Sequence, residues 1–323
     1  MNTPEVFDFI TIGAGCAGAS AAMYATRLNM KTAMIGEMPG GLITTTQDVE
    51  NWPGIKKISG PDLGLAVFEH ATSFGAKFFN EKVTDIEKAE KDDTGFHGYI
   101  VKTASNSYKT RTLLFATGTK HLELGVKGEK EFASKGVSYC ALCDAGFFRN
   151  KTVAVVGGGD AAVVEAMILA EKAAKVYLIV RRDVLRAEPV NAKRVNNNPK
   201  VEIKFNSQIA EIIGTGKVEK IRLVSGEEIV LDGVFISIGH SPVSELAGQT
   251  GVELNNHREI KINRKGETNL AGIYAAGDVT DSGFKQAIIA SAEGVTAAFN
   301  AYEFIKKMKG FCNTFGGVLF FLS

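Results

Sequence analysis

The chain of 323 residues is long enough to form two ordinary domains. Its composition, with 45% hydrophobic and 23% charged residues, is typical of a folded globular protein and excludes an intrinsically disordered chain. The formal net charge of +1 gives no indication of a nucleic-acid surface or of a strongly charged partner.

The two ends of the chain suggest neither export nor membrane insertion. Residues 1–10, MNTPEVFDFI, lack a basic segment and a long apolar stretch, so we expect no secretory signal and a cytoplasmic location. Four cysteines are too few for a disulfide framework. The apolar part of the tail 311–323 is shorter than the roughly 20 residues of a membrane helix. This tail packs on the body, covers a dimer surface or has no function; the sequence leaves these open.

The first predicted unit is a strand, a glycine turn and a helix in residues 9–35, FITIGAGCAGASAAMYATRLNMKTAMI. Gly13, Gly15 and Gly18 form a G-x-G-x-x-G pattern, which allows a tight turn, close approach to a pyrophosphate and close helix–strand packing. The free N–H groups at the helix start then bind the phosphates. Glu37 follows at the position that accepts hydrogen bonds from ribose hydroxyls, which predicts an unphosphorylated dinucleotide.

The middle of the chain begins with a helix and a set of strands. The segment 61–76 predicts an amphipathic helix, 77–110 a β-meander, and 113–119 (LLFATGT) a buried strand that ends in a tight turn. Cys140 and Cys143 then follow in SYCALCDAGFF. Such a pair is half of a zinc site, a structural disulfide, or a disulfide that opens and closes with each turnover.

A second copy of the strand–turn–helix unit covers residues 153–179, VAVVGGGDAAVVEAMILAEKAAKVYLI. Gly157, Gly159 and Ala162 take the positions of the three glycines of the first copy. Two such motifs in register are strong evidence for two dinucleotide sites, with plain βαβ units as the alternative. Arg181, which corresponds to Glu37, and Arg182 suit a 2′-phosphate and predict NADPH, with a solvated basic turn as the alternative.

Residues 201–240 predict further strands, 272–278 (GIYAAGD) one more strand and 285–307 a final helix. If these last elements rejoin the first sheet, the first domain is discontinuous. The predicted fold class is α/β, with two Rossmann-like dinucleotide-binding domains, the second inserted in the first (three-layer ββα type). The expected boundaries are 1–117 and 245–310 for the first domain and 118–244 for the second, with 311–323 unassigned.

Eight motifs together resemble those of the low-molecular-weight thioredoxin reductases. They are GAGCAG, TTTQDVENWPG, ATGT, YCALCDA, GGGDAA, VRRDVLRAEP, GHSP and AAGDVTD, and the resemblance runs from about residue 7 to about residue 307. It implies FAD in the first domain, NADPH and a redox disulfide in the inserted domain, and a homodimer. It also implies that the inserted domain rotates, so that nicotinamide and disulfide take turns at the flavin.

The resemblance assigns site residues by position. Those expected to bind FAD are Gly13, Gly15, Gly18, Glu37, Gly40, Gly41, Asn51, Gly118, Gly277, Asp278, Lys285, Gln286 and Ala287. Those expected to bind NADPH are Gly157, Gly159, Ala162, Arg181, Arg182 and Arg186. Cys143 corresponds to the cysteine nearer the flavin, Cys140 to the one that attacks the protein substrate, and Asp144 to the adjacent acid that handles protons. The expected partner is thioredoxin or a thioredoxin-like protein, with a glutaredoxin-like protein or a peroxiredoxin module as alternatives.

Four positions depart from the family pattern. Cys16 stands where Pro is common, and Leu42 stands where Gln often contacts the flavin. Ala145 replaces a usual Gly and is expected to restrain the loop that carries the cysteines. Val180 replaces a His that often precedes the two arginines, which weakens the prediction of NADPH.

Elimination also favours a redox role for Cys140 and Cys143. A zinc site needs four ligands, and Cys16, Cys312 and the five histidines have no ligand-like spacing, so no metal is expected. A structural disulfide across two residues removes little entropy from the unfolded chain. The competing functions are a dithiol oxidase of the same fold, a thioredoxin reductase supplied by ferredoxin or reduced flavin, and a flavin-bound redox sensor. The second glycine motif argues against the oxidase and the sensor.

Overall fold

The computed structural model describes residues 5–46, 49–89 and 97–308. In chain order, the first elements are β1 (Val6–Ile12), α1 (Cys16–Arg27), β2 (Thr32–Ile35), α2 (Gly60–Ser73), β3 (Lys77–Phe79), β4 (Val83–Ala89), β5 (Gly98–Thr103), β6 (Ser107–Phe115), β7 (Thr119–His121), β8 (Val137–Ser138), α3 (Ala141–Asp144) and β9 (Thr152–Val156). They are followed by α4 (Asp160–Lys172), β10 (Lys175–Ile179), α5 (Pro189–Asn196), β11 (Val201–Lys204), β12 (Ile209–Gly214), β13 (Val218–Leu223), β14 (Glu228–Val230), β15 (Gly233–Ile236), β16 (His240–Pro242), α6 (Glu245–Gln249), β17 (Ile273–Ala275) and α7 (Ala287–Met308).

The described chain divides into two compact units. One contains the residues up to Thr119 and those from Pro242 onward, and the other is Lys120–Ser241. In the first unit the strand order is β3-β2-β1-β6-β5-β4, and β17 pairs in parallel with β6. The C-terminal part of the chain therefore returns to the sheet that the N-terminal part begins.

Small side chains hold α1 and α7 of the first unit close together. Ala17, Ala21 and Ala25 of α1 share a core cluster with alanines of α7, all of them buried. A Cβ atom added at Gly294 of α7 would lie 2.1 Å from the carbonyl oxygen of Ala17, so the two helix backbones meet where only glycine fits.

The second unit has three layers around a parallel sheet of order β11-β10-β9-β15-β8. The strand β9 shows how the layers form, because its side chains alternate between the two faces. Val153 and Val155 belong to the core cluster that contains the buried face of α4, whereas Ala154 and Val156 pack with the antiparallel meander β12-β13-β14. The helix α4 and the meander thus cover opposite faces.

The chain passes twice between the units, and the two passages lie side by side. The strands β7 and β16 pair as a separate two-stranded sheet. On the first unit's side, the Thr117 hydroxyl donates to the Val243 carbonyl at 2.6 Å, and the Val243 N–H donates to the Gly118 carbonyl at 3.0 Å.

The structure corrects one element of the sequence analysis. The segment 77–110 is not a single meander, because β3 pairs in parallel with β2, and only β4, β5 and β6 are antiparallel neighbours. The helix α2 connects β2 to β3 as a second crossover, and it begins where the Ser59 hydroxyl accepts the Asp62 N–H at 3.1 Å. The tail 311–323 lies outside the described residues. In the part of the chain that the structure covers, every helix is too short or too polar to cross a bilayer.

Candidate active site

The first glycine turn has the shape that a pyrophosphate requires. Gly13 has φ of 108°, and a Cβ atom there would lie 2.2 Å from the Ala116 carbonyl oxygen. A Cβ atom at Gly18 would lie 2.0 Å from the Gly13 oxygen. The helix α1 begins after Gly15 without a side-chain cap, so its first N–H groups can bind an anion. The residues present therefore fit a dinucleotide.

A second glycine pair lies against this turn. Gly40 and Gly41 have φ of 81° and 70°, and the Gly40 N–H donates to the Ala14 carbonyl at 2.9 Å. A Cβ atom at Gly41 would lie 2.6 Å from the Cα atom of Gly15, so a side chain there would collide with the turn. Glu37 is exposed just after the end of β2, next to this pair in sequence.

The segment after β17 also reaches the first turn. A Cβ atom at Gly277 would lie 3.1 Å from the Cβ atom of Ala17, at the start of α1. Burial and the charge of the neighbouring Asp278 raise the pKa of the Cys16 thiol to about 11. Burial raises the pKa of Asp278 itself, and Lys285 acts in the opposite direction. The Gly277 N–H donates to the Glu293 carboxylate at 2.8 Å. Three distant segments thus meet at one end of the first sheet.

The remaining residues assigned to FAD lie on loops of the same unit. The Asn51 side-chain amide donates to the Gln286 oxygen at 2.9 Å, and Ala287 begins α7. Lys285 pairs with Glu259 at 3.1 Å. Gly118 has φ of 61°, and a Cβ atom there would meet nothing within 4 Å.

The second glycine turn repeats this geometry in the second unit. Gly157 has φ of 147°, and a Cβ atom there would lie 2.1 Å from the Ser237 carbonyl oxygen. Ala162 is fully buried where the third glycine stands in the first copy. The helix α4 begins after Gly159 without a side-chain cap, and a Cβ atom at Gly159 would meet nothing within 4 Å. The turn is therefore open on the side from which phosphates approach.

The loop 181–188, which we call the basic loop, is hydrogen-bonded to this second turn. The Arg186 N–H donates to the Gly158 carbonyl at 2.7 Å, and the Asp160 carboxylate accepts the Glu188 N–H at 2.8 Å. Arg181, Arg182 and Arg186 are exposed and make no ion pair with any residue that the structure describes. The loop therefore offers three cations beside the turn.

Cys140 and Cys143 form a disulfide, with their Cα atoms 5.4 Å apart. Cys140 caps α3, and its sulfur accepts the Cys143 N–H at 3.2 Å. The Cys140 N–H donates to the Ser138 hydroxyl at 3.1 Å, and the Asp144 N–H donates to the Cys140 carbonyl at 3.2 Å. A cavity of about 240 Å³ is lined by both Cys140 and Asp144. In the described ranges, no group of three His, Cys, Asp or Glu side chains is arranged to hold a metal.

The departures from the family pattern have simple local explanations. Val180 is buried, and one of its methyl groups would lie 2.9 Å from a Cβ atom at Gly158, so it packs beneath the turn. Ala145 has ordinary helical angles of −54° and −30° and is buried. Its effect on loop motion stays a prediction. Leu42 lies in a 3-10 turn, Gly41–Thr45, and Cys16 is a buried free thiol.

Sequence reasoning missed one residue beside the disulfide, Glu165 of α4. Burial raises the pKa of the Glu165 carboxyl to about 8, and the Ala141 N–H, between the two cysteines in the chain, acts in the opposite direction. Its spacing from Ala162, Ala166 and Leu169 follows the buried stripe of the helix. A carboxyl in such a stripe is the signal that could have identified it.

Comparisons with known proteins agree with this geometry. A family model described as "Pyridine nucleotide-disulphide oxidoreductase" matches residues 7–294. The chain is 39% identical to a thioredoxin reductase of Bacillus subtilis (strain 168) over 96% of this chain and 98% of that protein. It is similar to the solved thioredoxin reductase of Lactococcus lactis, with a TM-score of 0.88 and 34% identity. The match covers 93% of this chain and 99% of that one. A ferredoxin-flavin thioredoxin reductase from Clostridium acetobutylicum gives a TM-score of 0.51 at 32% identity, with coverage of 94% and 100%.

Two glycine turns and a C-x-x-C disulfide define a dinucleotide-dependent disulfide oxidoreductase. The chain belongs to the pyridine nucleotide-disulphide oxidoreductase family. This confirms the predicted α/β class with two dinucleotide-binding domains and the predicted resemblance. Membership implies the use of a flavin and of a nicotinamide cofactor.

Proposed function

We propose that the protein is a thioredoxin reductase that binds FAD and NADPH and reduces the disulfide of thioredoxin. The observation that carries the proposal is the disulfide between Cys140 and Cys143, in the same unit as the second glycine turn. The named relatives, which are similar over nearly their whole length, support it.

The residues around each turn support the choice of cofactors. We assign FAD to the turn at Gly13, with Gly277 and Asp278 beside it, in a domain of residues 1–117 and 245–310. We assign NADPH to the turn at Gly157, in a domain of residues 118–244, because the arginines of the basic loop suit a 2′-phosphate. When bound, the two cofactors supply the hydride and electron chemistry. The homodimer and the rotation of the inserted domain stay predictions.

The chain's own residues carry out the exchange with the partner. The Cys140 thiolate attacks one sulfur of the partner's disulfide, forms a mixed disulfide and releases the other sulfur as a thiolate. The Cys143 thiolate then attacks the Cys140 sulfur, which closes the Cys140–Cys143 bond and releases the reduced partner. Asp144, which lies next to Cys143 in the chain, is assigned the proton transfers that interconvert thiol and thiolate.

The competing functions fit fewer of these observations. An enzyme supplied by ferredoxin or an oxidase needs no second dinucleotide site, yet Gly157 and Gly159 keep the geometry of one. A sensor needs neither this second turn nor the three exposed arginines of the basic loop.

The test is anaerobic reduction of the purified flavoprotein, followed by addition of oxidised thioredoxin. We expect NADPH to bleach the flavin absorbance much faster than NADH. Cys140→Ser and Cys143→Ser should retain this bleaching and lose thioredoxin reduction. Bleaching by neither nucleotide would refute the assignment of NADPH, and thioredoxin reduction by both variants would refute the role of the cysteines.

A further inference from the structure

Asp160, the first residue of α4, is an acidic residue at the second glycine turn, and the exchange described above does not use it. It follows Gly159 directly, and its side chain is partly buried. A carboxylate in the first turn of a helix interacts favourably with the helix dipole. Its negative charge, however, lies at the helix end where the phosphates of a dinucleotide are expected to bind. Phosphate binding therefore does not explain this carboxylate.

The Asp160 carboxylate accepts two hydrogen bonds from the far end of the basic loop. Its Oδ1 atom accepts the Glu188 N–H at 2.8 Å and the side-chain amide of Asn191, in α5, at 2.9 Å. Hydrogen bonds to a carboxylate are stronger than those between neutral groups. Glu188 is the last residue before α5, which begins at Pro189. Asp160 thus joins the end of the basic loop and the start of α5 to the start of α4.

The rest of the basic loop is held by its backbone and by packing. The Arg182 carbonyl accepts the Asn206 N–H at 3.0 Å. The Arg186 N–H donates to the Gly158 carbonyl at 2.7 Å. Leu185, which precedes Arg186, packs against the core cluster that contains the buried face of α4. The loop is therefore held at its start, its middle and its end, and the bonds at its end are those to Asp160.

The backbone of the basic loop determines where its cations lie. The side chains of Arg181, Arg182 and Arg186 are exposed and make no ion pair with a residue that the structure describes. A guanidinium group binds a phosphate through two parallel hydrogen bonds, which requires a defined orientation of its plane. A displaced loop would carry the same charges but would present them at other angles. The bonds that hold the loop are therefore expected to affect recognition of a phosphate.

We propose that Asp160 is a positioning residue that holds the basic loop where its arginines meet the 2′-phosphate of NADPH. This inference rests on the proposed function, in which the second glycine turn binds NADPH. Asp160 acts through the Glu188 N–H and the Asn191 amide. Its contribution is therefore to the choice between NADPH and NADH rather than to the binding of the part that both nucleotides share.

The test measures binding without turnover, by isothermal titration calorimetry of the oxidised holoenzyme. The ligands are NADP⁺ and, by displacement, NAD⁺, which differ only in the 2′-phosphate. Asp160→Ala removes the acceptor and leaves the glycine turn intact. We expect it to raise the Kd for NADP⁺ by about five- to twentyfold and the Kd for NAD⁺ by less than about twofold, since hydrogen bonds to a charged group are lost. Unchanged selectivity in the folded variant would overturn the inference.

Two further variants separate the acceptor from the charge. Asp160→Asn keeps an oxygen that can accept both donors and removes the charge, so it should keep the wild-type ratio of the two Kd values. Glu171→Ala removes an exposed carboxylate from the other end of α4 and is the matched control, with both Kd values expected to stay unchanged. A loss of selectivity in Asp160→Asn as large as that in Asp160→Ala would contradict the role of the acceptor.

A double-mutant cycle gives a readout that a general loss of stability would not produce. Its background is Arg181→Ala/Arg182→Ala/Arg186→Ala, which removes the three cations and keeps the backbone bonds of the loop. If Asp160 acts through the arginines, Asp160→Ala should change the Kd for NADP⁺ by less than about twofold in this background. The same fold-change in both backgrounds would refute the inference.

The outcomes also separate this inference from the proposed function. If the triple arginine variant binds NADP⁺ as tightly as the wild type, the assignment of NADPH fails. If that variant loses NADP⁺ and Asp160→Ala does not, the positioning role alone fails. Thermal unfolding shows whether each variant is folded. Should Asp160→Ala not fold, Asp160→Ser, whose side chain is shorter and keeps a polar group in the first turn of α4, must show the same selective loss.

Discussion

At the scale of single residues, we propose that the choice between NADPH and NADH depends on Arg181 and Arg182. Both side chains are exposed after β10, and the Arg186 N–H ties their loop to Gly158 at 2.7 Å. Only NADPH carries a 2′-phosphate, and guanidinium groups bind phosphate through two parallel hydrogen bonds. Val180, which precedes them, is buried beneath the turn, and its effect on NADPH binding stays a prediction.

We therefore expect Arg181→Ala/Arg182→Ala to raise the KM for NADPH by roughly 10- to 100-fold, since each charge-assisted hydrogen bond contributes about 1.5–3 kcal/mol. The KM for NADH should change less than about threefold. Steady-state kinetics with both nucleotides measure the difference. Arg264→Ala/Lys265→Ala removes the same charge from an exposed site and is the control. An equal loss for both nucleotides would contradict the assignment.

Local pattern predicted the glycines and cysteines of the site, because their requirements lie within a few neighbouring residues. It did not predict contacts between segments that are far apart in the sequence. Asn51 and Gln286 form a hydrogen bond across 235 positions, and the family resemblance assigned both to the flavin site without indicating that they touch. Glu165 was missed for the same reason, since the burial that raises its pKa comes from the packing of α4 against other elements.

At the scale of elements, the second strand–turn–helix unit contains one glycine that the fold requires and one that it does not. Gly157 combines φ of 147° with a Cβ position 2.1 Å from the Ser237 oxygen, so the fold itself requires it. Gly159 has φ of −94°, and a Cβ atom there would meet nothing within 4 Å. We infer that its side is kept clear for the pyrophosphate.

We expect Gly159→Ala to keep its thermal stability, with a change within about ±1 kcal/mol, and to weaken NADPH binding at least tenfold. Gly157→Ala should lower stability by about 2 kcal/mol or more, because both the backbone angle and the contact are unfavourable. Thermal unfolding and NADPH titration of each variant test this contrast. A Gly159→Ala enzyme with normal NADPH affinity would refute the inference.

Sequence periodicity predicted the bounds of α2 and α7 within a few residues. The pairing that it predicted for β3, as part of an antiparallel meander, was wrong. A short strand that begins with an exposed lysine looks the same whether its neighbour is parallel or antiparallel. The difference arises because α2 crosses over and delivers β3 to the edge beside β2.

At the scale of the whole molecule, each unit has a core of its own. The two hydrophobic clusters of the second unit contain only residues of Lys120–Ser241. The ends of this unit are neighbours, because β7 pairs with β16. Both properties are typical of an inserted domain that folds independently.

We expect residues 118–244, expressed alone, to unfold cooperatively and to bind NADPH without flavin. The remaining chain, with residues 117 and 245 joined by a few Gly and Ser residues, should retain FAD and its yellow colour. Circular dichroism, NADPH titration and the flavin spectrum measure these outcomes. An unfolded 118–244 segment would show that its core depends on the other unit.

The parallel pairing of β17 with β6 also bears on biosynthesis. A nascent chain leaves the ribosome from its N-terminus, so β6 emerges long before Ile273–Ala275 can occupy the position beside it. Meanwhile the second unit, Lys120–Ser241, is complete and free to fold. The interrupted unit is therefore finished last. Until then it presents an open strand edge, the kind of surface that chaperones shield from aggregation.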